Sequence, residues 1–438
     1  MTTRAAPAVP VAPPRAAATW TVTAMAVLFI AVSWADKAVL GLAATPLMRE
    51  LHLSESAFGF VGSSFYFLSI LTCLLGGLVA DRLRLRWVLF ALVLGWSLTS
   101  VPVLAYASLG TLLFGRITLG AVEGPANPVA LALTYTWFPN DRRGLPSGLL
   151  NAGATIAKLG LAPLLAVIMG VWGWRGGFTA LVIIGLVWCA VWLPLGRTGP
   201  YTSDSARPGP DPAGPAEPGS ASAGRDVPLR RVARTRTFAG AVIGNFAVFG
   251  LATLVITWLP SYFQAVLGMG EVQAGSLLGL PSVFGVVCLV GLGWVSDRLL
   301  RRGVPSRKAR GLLAGTSMTL GGLLLTASGY APAAAAGLVL LLLGYAGASG
   351  SVGLGGPVVA ELVTPRRRAG ALGLYYAIGS LSGVLAPWLT GAILDAAASP
   401  AAGYRTVFTV FGAALAAAGV AYVLLVNPER DRALLEVA

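Results

Sequence analysis

Five ionisable side chains lie inside long apolar segments of the chain: Asp36, Lys37, Arg116, Glu123 and Lys158. A charge at the centre of a membrane-spanning helix costs about 2.5–3.5 kcal/mol on insertion scales, so such residues usually face a cavity and have a function. With both acids ionised the five charges sum to +1, and with both protonated they sum to +3. Protonation would therefore free cationic groups for an anion. The alternative is a fixed ion-pair network with a structural role.

The depth of these charges follows from a helical rise of about 1.5 Å per residue. Asp36 and Arg116 fall at a similar depth, and Glu123 lies about 10 Å deeper than Arg116 on the same helix face. Lys158 has nearly the depth of Glu123, so an ion pair between Glu123 and Lys158 is one expectation. Burial disfavours a charged carboxylate, whereas nearby cations favour it. An acid on which these two effects nearly balance can exchange protons.

The composition requires an apolar solvent around most of the chain. The chain has 438 residues, 56% hydrophobic and 11% charged, with a mean hydropathy of +0.77. A soluble domain carries about 25% charged residues. The net charge of +14 raises the question of nucleic acid, but the basic residues stand in short runs between apolar blocks, as in membrane proteins. No nucleic-acid partner, metal site or disulfide is expected, since the three cysteines are scattered in apolar segments and His52 is the single histidine.

A membrane-spanning helix needs about 20 mostly apolar residues. Twelve candidate segments run roughly over 20–47, 56–80, 86–107, 110–137, 145–171, 176–195, 238–267, 272–297, 309–329, 333–361, 369–395 and 403–427. The predicted organisation is a disordered N-terminus (1–19), a six-helix bundle (20–196), a Pro- and Gly-rich cytoplasmic linker (197–236), a second six-helix bundle (237–428) and a tail (429–438). The predicted fold class is an all-α membrane protein.

The distribution of basic residues predicts the orientation. With the N-terminus inside, 25 of the 31 Lys and Arg residues fall on the inner side, three in outer loops and three within helices. The positive-inside rule therefore places both termini in the cytoplasm.

The two halves carry the same short motif after their second helices. Gly77 and Gly293 each precede an Asp-Arg pair and further basic residues. The pairs are Asp81-Arg82 and Asp297-Arg298. These loops and the six-plus-six layout resemble the major facilitator superfamily. The resemblance implies that the four residues hold helices together and participate in conformational switching; the alternative is that they cap helix ends and obey the positive-inside rule.

A second series of residues resembles the anion:cation symporter family. It comprises Asp36-Lys37, the stretch Gly115–Glu123, Trp137-Phe138-Pro139, Arg142-Arg143-Gly144, Trp172–Arg175 and Phe178. The resemblance implies transport of organic anions, mostly carboxylates, often with protons. It assigns proton binding to Asp36 and Glu123, and leaves Lys37 and Arg116 to attract the anion or pair with the acids. The family usually has Arg after the first Asp, and Lys37 lacks the bidentate fork that suits a carboxylate.

Further candidates for substrate contact are Lys158, Tyr376, Ser380, Asn151 and Asn245. Tyr376 and Ser380 stand where the family commonly has Asn. Tyr376 could instead be a packed tyrosine, and each asparagine an interhelical hydrogen bond. Glu361 precedes the basic run 366–368 and is expected in a cytoplasmic gate or ion-pair network.

The sequence therefore predicts a secondary active transporter and no enzyme. Its partners would be a small organic anion, protons and the lipid bilayer, with the proton gradient in place of a cofactor. The expected location is a bacterial inner membrane, and the expected state is a monomer. A proton-coupled exporter on the same fold is the alternative, although a net-positive cavity disfavours cationic drugs. A non-transporting sensor is a remote alternative, since no signalling domain is visible.

Overall fold

The computed structural model describes residues 16–80, 84–138, 144–201, 228–363 and 368–437, and its regular elements are helices. The first half contains α1 (Ala16–Leu42), α2 (Ala44–Leu51), α3 (Glu55–Ala80), α4 (Leu85–Thr99), α5 (Val101–Ala105), α6 (Leu109–Glu123), α7 (Ala126–Tyr135), α8 (Gly144–Ile156) and α9 (Ala162–Leu195). A π-helical turn, Ala157–Leu161, joins α8 to α9.

The second half begins after the linker. A short helix of the linker, α10 (Leu229–Ala233), precedes it, and the second half contains α11 (Arg236–Ala265), α12 (Glu271–Ser276), α13 (Leu280–Arg301), α14 (Leu313–Ser328), α15 (Ala334–Ala360), α16 (Arg368–Ser380), α17 (Ser382–Asp395), α18 (Pro400–Leu425) and α19 (Pro428–Val437). A 3₁₀ turn (Leu277–Gly279) precedes α13, and a π-helical turn (Arg307–Leu312) precedes α14.

Ten segments of the described residues are long and apolar enough to cross a membrane. One of them, Ala152–Leu195, has 44 residues, about 66 Å of helix and twice the hydrocarbon thickness. It is interrupted at Gly173, whose φ of 69° and ψ of −179° are non-helical, so it holds the predicted fifth and sixth spans. The predicted fourth span is divided between α6 and α7 at Gly124 and Pro125, and proline removes a helical donor there. The count of twelve stays a prediction.

The helix bounds differ from the predicted ones at the ends of the chain. Helix α1 begins at Ala16, four residues before the predicted start, and residues 1–15 lie outside the described part. Of the linker, 197–201 and 228–236 are described, including α10. The predicted tail forms α19, where the buried Asp431 accepts a hydrogen bond of 2.7 Å from the backbone N–H of Thr237 at the start of α11.

The two halves meet at the end of the bundle far from Ala16 and Val437, called the distal end below. Here α1 lies against α11, and a Cβ on Gly41 would fall 2.3 Å from the carbonyl oxygen of Ile256. Likewise α3 lies against α17, and a Cβ on Gly59 would fall 2.3 Å from the carbonyl oxygen of Pro387. Only glycine permits backbones to approach so closely, so these two positions fix the packing of one half on the other.

A carboxylate strengthens this distal contact. Asp395, the last residue of α17, accepts hydrogen bonds from the backbone N–H groups of Glu55 (2.7 Å) and Ser56 (2.8 Å) at the start of α3. The first N–H groups of a helix lack intrahelical partners and attract anions. Asp395 therefore caps a helix that belongs to the opposite half.

Candidate functional site

An ion pair between Lys37 and Glu123 joins α1 to α6 inside the first half. The Nζ of Lys37 lies 2.5 Å from Oε2 of Glu123, and the side chains are 17% and 0% exposed. The ammonium also donates to Ser33 one turn earlier, 3.0 Å from Oγ and 3.3 Å from the carbonyl oxygen. Ser33 thus orients Lys37 towards the acid.

The burial of Glu123 follows from two glycines that bring α3 against α6. A Cβ on Gly120 would lie 1.9 Å from the carbonyl oxygen of Phe65, and one on Gly124 would lie 2.1 Å from Oγ1 of Thr72. Larger residues at these positions would separate the helices. Oε1 of Glu123 is buried without a hydrogen-bond partner among the described residues, so one oxygen remains available for a proton.

Arg116 and Asp36 lie nearer the distal end and are 7% and 4% exposed. The guanidinium donates through Nη1 to the backbone carbonyl of Asp36 at 3.1 Å, and its Nε has no partner among the described residues. The carboxylate of Asp36 interacts electrostatically with Glu123, Lys37 and Arg116. Four of the five predicted charges, Asp36, Lys37, Arg116 and Glu123, therefore form one cluster.

Two aromatic rings lie beside the three cations of this region. The ring centroid of Phe65 lies 5.0 Å from Lys37 Nζ and 5.2 Å from Arg116 Cζ. The ring of Trp34 lies 5.5 Å from Lys37 Nζ and 5.2 Å from Lys158 Nζ. Cation–π attraction offsets part of the cost of holding three cations close together.

Lys158 does not make the ion pair with Glu123 that its depth suggested. Glu123 pairs with Lys37 instead, and Lys158 is half-buried with no acidic partner among the described residues. Lys158 lies in the π-helical turn Ala157–Leu161, and such a turn shifts the faces of the following helix relative to a regular α-helix. Lys158 therefore adds a positive charge beside the cluster that no ion pair among the described residues neutralises.

The predicted polar contacts of the second half lie on or beside α16. Tyr376 is 48% exposed, and its backbone carbonyl accepts a 2.8 Å hydrogen bond from Ser380 Oγ. Asn245 is buried and donates to the carbonyl oxygen of Tyr375 at 3.2 Å, which is the interhelical alternative. The remaining candidate, Asn151, belongs to the first half. Its backbone lies in α8, and its side chain is outside the described part. Substrate contact by these residues stays a prediction.

The predicted gating residues are only partly described. Asp81 and Arg82 lie outside the described residues. Asp297 and Arg298 are exposed near the end of α13, with the Arg298 guanidinium 5.3 Å from the ring centroid of Trp294. Glu361 forms an ion pair with Arg310 and accepts a hydrogen bond of 2.9 Å from Ser306 Oγ. The switching roles of these residues stay predictions.

Several residues of this region escaped the sequence analysis. The contact of Ser33 with Lys37 could have been predicted from the sequence, since Ser33 precedes Lys37 by four residues and so shares its helix face. Phe65 and Trp34 look like any packed aromatic residue in an apolar segment. Asp395 carries no signal at all, because its partners are backbone N–H groups some 340 residues away.

Comparison with known proteins assigns the family. The model of the Major Facilitator Superfamily matches residues 25–353. The chain belongs to this superfamily. This major facilitator protein is similar to a hexuronate transporter of Bacillus subtilis, with 25% identity over 92% of this chain and 93% of that protein. It is also similar to a probable L-galactonate transporter of Escherichia coli, with 28% identity over 93% of this chain and 91% of that one.

Solved structures confirm the fold of the transporter. A bacterial homologue of the human lysosomal transporter Spinster superposes with a TM-score of 0.77 at 17% identity, covering 94% of this chain and 97% of that one. A D-xylose-proton symporter gives a TM-score of 0.74 at 17% identity, covering 94% and 99%. The prediction of an all-helical major facilitator fold is confirmed, and the protein is a multi-span membrane transporter.

Proposed function

We propose that this protein imports a sugar-acid anion together with protons, by alternating access of the two halves. The observation that carries the proposal is the buried ion pair between Lys37 and Glu123. The substrate class follows from the names of its relatives, which include transporters of hexuronate and, as probable assignments, of L-galactonate and galactarate or D-glucarate.

Coupling follows from the charges of the pair. While Glu123 is ionised, its carboxylate neutralises Lys37. A proton on Glu123 removes that partner and leaves a cation in a poorly hydrated site, which is costly unless another anion arrives. A substrate carboxylate supplies that anion. Proton binding and anion binding therefore strengthen each other, as a symporter requires.

Lys158 and Trp34 give the anion a second contact. Lys158 has no acidic partner among the described residues, and its ammonium lies beside the Trp34 ring. The carboxylate of the substrate would bind between Lys37 and Lys158, and the apolar face of a sugar would rest against Trp34. Tyr376 would approach the substrate from the second half.

The proposed inward direction of transport follows from proton symport, because the proton-motive force drives protons into the cell. The positive-inside rule places the termini in the cytoplasm of a bacterial inner membrane, so the distal end faces outwards. The distal contacts at Gly41, Gly59 and Asp395 then close the outer side, and the structure corresponds to a state closed to the outside. A proton-motive force supplies about 2.3 kcal/mol per charge per 100 mV, before any pH contribution.

The test is uptake into proteoliposomes across an imposed pH gradient, acidic outside. The panel comprises glucuronate, galacturonate, galactonate, glucarate and, as neutral comparators, glucose and xylose. Accumulation of at least one acid, lost when the gradient is collapsed and absent for the neutral sugars, supports the proposal. Uptake of neutral sugars alone, or uptake of acids indifferent to the gradient, would refute it.

A further inference from the structure

A cavity inside the first half carries an inference that rests on the proposed proton coupling. The space free of protein atoms is about 310 Å³, a figure that includes space open to the surroundings, and it lies between α1, α4, α6 and α9 near the distal end. Its polar lining residues are Asp36, Thr99, Ser100, Thr111 and Arg116, and Phe178 contributes an apolar wall.

The cavity is suited to water. The hydroxyl of Thr99 donates to the carbonyl oxygen of Trp96 (2.6 Å), so its oxygen keeps lone pairs for other donors, whereas the oxygen of Thr111 already accepts a hydrogen bond from the backbone N–H of Ser108 at 3.0 Å. The Nε of Arg116 is buried without a partner among the described residues. Buried water occupies polar space where it finds two to four partners, as these groups offer.

The lining spans the distance from the distal surface to the buried acid. Thr111 is two residues from the start of α6, and Arg116 lies about 10 Å below that start. Asp36 lies about 9 Å below the distal end of α1. Water in the cavity would therefore connect the distal face with the carboxylate of Asp36.

This route is separate from the one that a substrate takes. The distal contacts of Gly41 with Ile256 and of Asp395 with Glu55 lie between the halves, whereas the cavity lies within the first half. Contacts that shut the outer side to a sugar acid leave the cavity in place. Neither Lys158 nor Trp34 lines it.

We propose that this cavity is the proton entrance of the transporter, through which water delivers protons from the outer face to Asp36 while the halves are closed outside. A hydronium ion in the cavity transfers its proton to an oxygen of the Asp36 carboxylate, leaving water and a neutral carboxyl group. The charged groups around Asp36 are Lys37 on its own helix and Arg116 and Glu123 on α6; the lining residues of α4, α5 and α9 are uncharged.

The first test removes one hydroxyl from the lining. Thr99→Val keeps the side-chain size and loses only a hydroxyl that bonds within its own helix. Thr118→Val is the matched control, because Thr118 makes the same kind of bond to Phe114 and does not line the cavity. The proposal predicts that Thr99→Val slows gradient-driven uptake several-fold and leaves substrate exchange at equal pH within twofold of the control. Equal losses of uptake and exchange would overturn it.

The second test measures whether the cavity is accessible from outside, and it does not require transport. In a variant with Cys73, Cys189 and Cys288 replaced by serine, Ser100→Cys is treated from outside with a membrane-impermeant methanethiosulfonate. Tyr376→Cys, on a helix that contacts α3 across the halves, is the comparator. Faster reaction at Ser100→Cys is expected, and reaction no faster than at Tyr376→Cys would overturn the route. A wild type that accumulates no anion would instead refute the proposed function, because this labelling does not depend on transport.

Discussion

Glu123 lies 2.5 Å from the ammonium of Lys37 with a side chain that has no exposed surface, and its second carboxylate oxygen has no partner among the described residues. A single proton therefore decides whether Lys37 has a counter-ion. The acid that would bind the proton and the cation that would bind the substrate are hydrogen-bonded to each other. Proton binding and substrate binding are therefore not independent.

Removing Lys37 alone is expected to destabilise the protein. Lys37→Met leaves the buried carboxylate of Glu123 without its cation, and breaking one side of a buried ion pair costs roughly 3–5 kcal/mol. The double variant Lys37→Met/Glu123→Gln removes both charges and should recover most of the lost stability. Thermal unfolding in detergent checks this; a double variant less stable than Lys37→Met would contradict the pairing.

Lys158→Gln is expected to weaken substrate binding and to leave stability nearly unchanged. A hydrogen bond to a charged group contributes roughly 1.5–3 kcal/mol, so KM should rise by about tenfold or more. Lys158→Arg retains the charge and serves as the matched control. Initial uptake rates over a range of substrate concentrations give KM, and an unchanged KM in Lys158→Gln would remove Lys158 from the substrate site.

Asp395→Asn is expected to favour states open at the distal end. A carboxylate that caps a helix contributes roughly 0.5–2 kcal/mol, and an amide is a weaker cap without the charge. Spin labels on His52→Cys and Ala398→Cys, exposed residues of opposite halves, report the separation by pulsed electron resonance. The variant should show a larger population of long distances than the parent, with Asp395→Glu between them; identical distributions would show that the cap does not hold the halves together.

Acidification is expected to release α19. Burial acts to raise the pKa of Asp431, but hydrogen bonds from Arg430 and from Thr237 outweigh it and hold the pKa below its ordinary value. A carboxyl whose pKa is lowered by folding stabilises the fold above its unfolded value, about 3.9, and loses that contribution as the pH falls through the folded value. Limited proteolysis of the C-terminus should therefore accelerate below about pH 4 in the wild type. Asp431→Asn should be cleaved faster than the wild type at neutral pH, and equal rates there would contradict the role of the carboxylate.

The fold and the charged cluster could be predicted because their signals are local. Hydropathy marks the spans, the repeated Gly-x-x-x-Asp-Arg motif marks the two halves, and a charge in an apolar segment is conspicuous wherever it occurs. The partners of those charges are not local. Glu123 is buried where Gly120 and Gly124 bring α3 against α6, and its partner Lys37 comes from a third helix, α1, while Lys158 lies in a π-helical turn. None of these features can be obtained from helix depth alone.

The division of the fourth span and the cap at Asp395 also depend on contacts that are not local in the sequence. Pro125 is visible in the sequence, but whether it bends or interrupts a helix depends on its neighbours. Asp395 follows α17 as an ordinary helix-ending acid, and its function depends on α3 of the other half. Contacts between the halves also determine which face of the transporter is closed.

The coupling of proton to anion is measured by following both at once in proteoliposomes, with a pH-sensitive dye in the lumen and a labelled sugar acid outside. In the wild type, addition of the anion should acidify the lumen as the anion enters. In Glu123→Gln the lumenal pH should not change and accumulation should stop, whereas exchange of internal for external anion continues; Thr118→Val should behave as the wild type. Substrate-dependent acidification of normal size in Glu123→Gln would contradict the account.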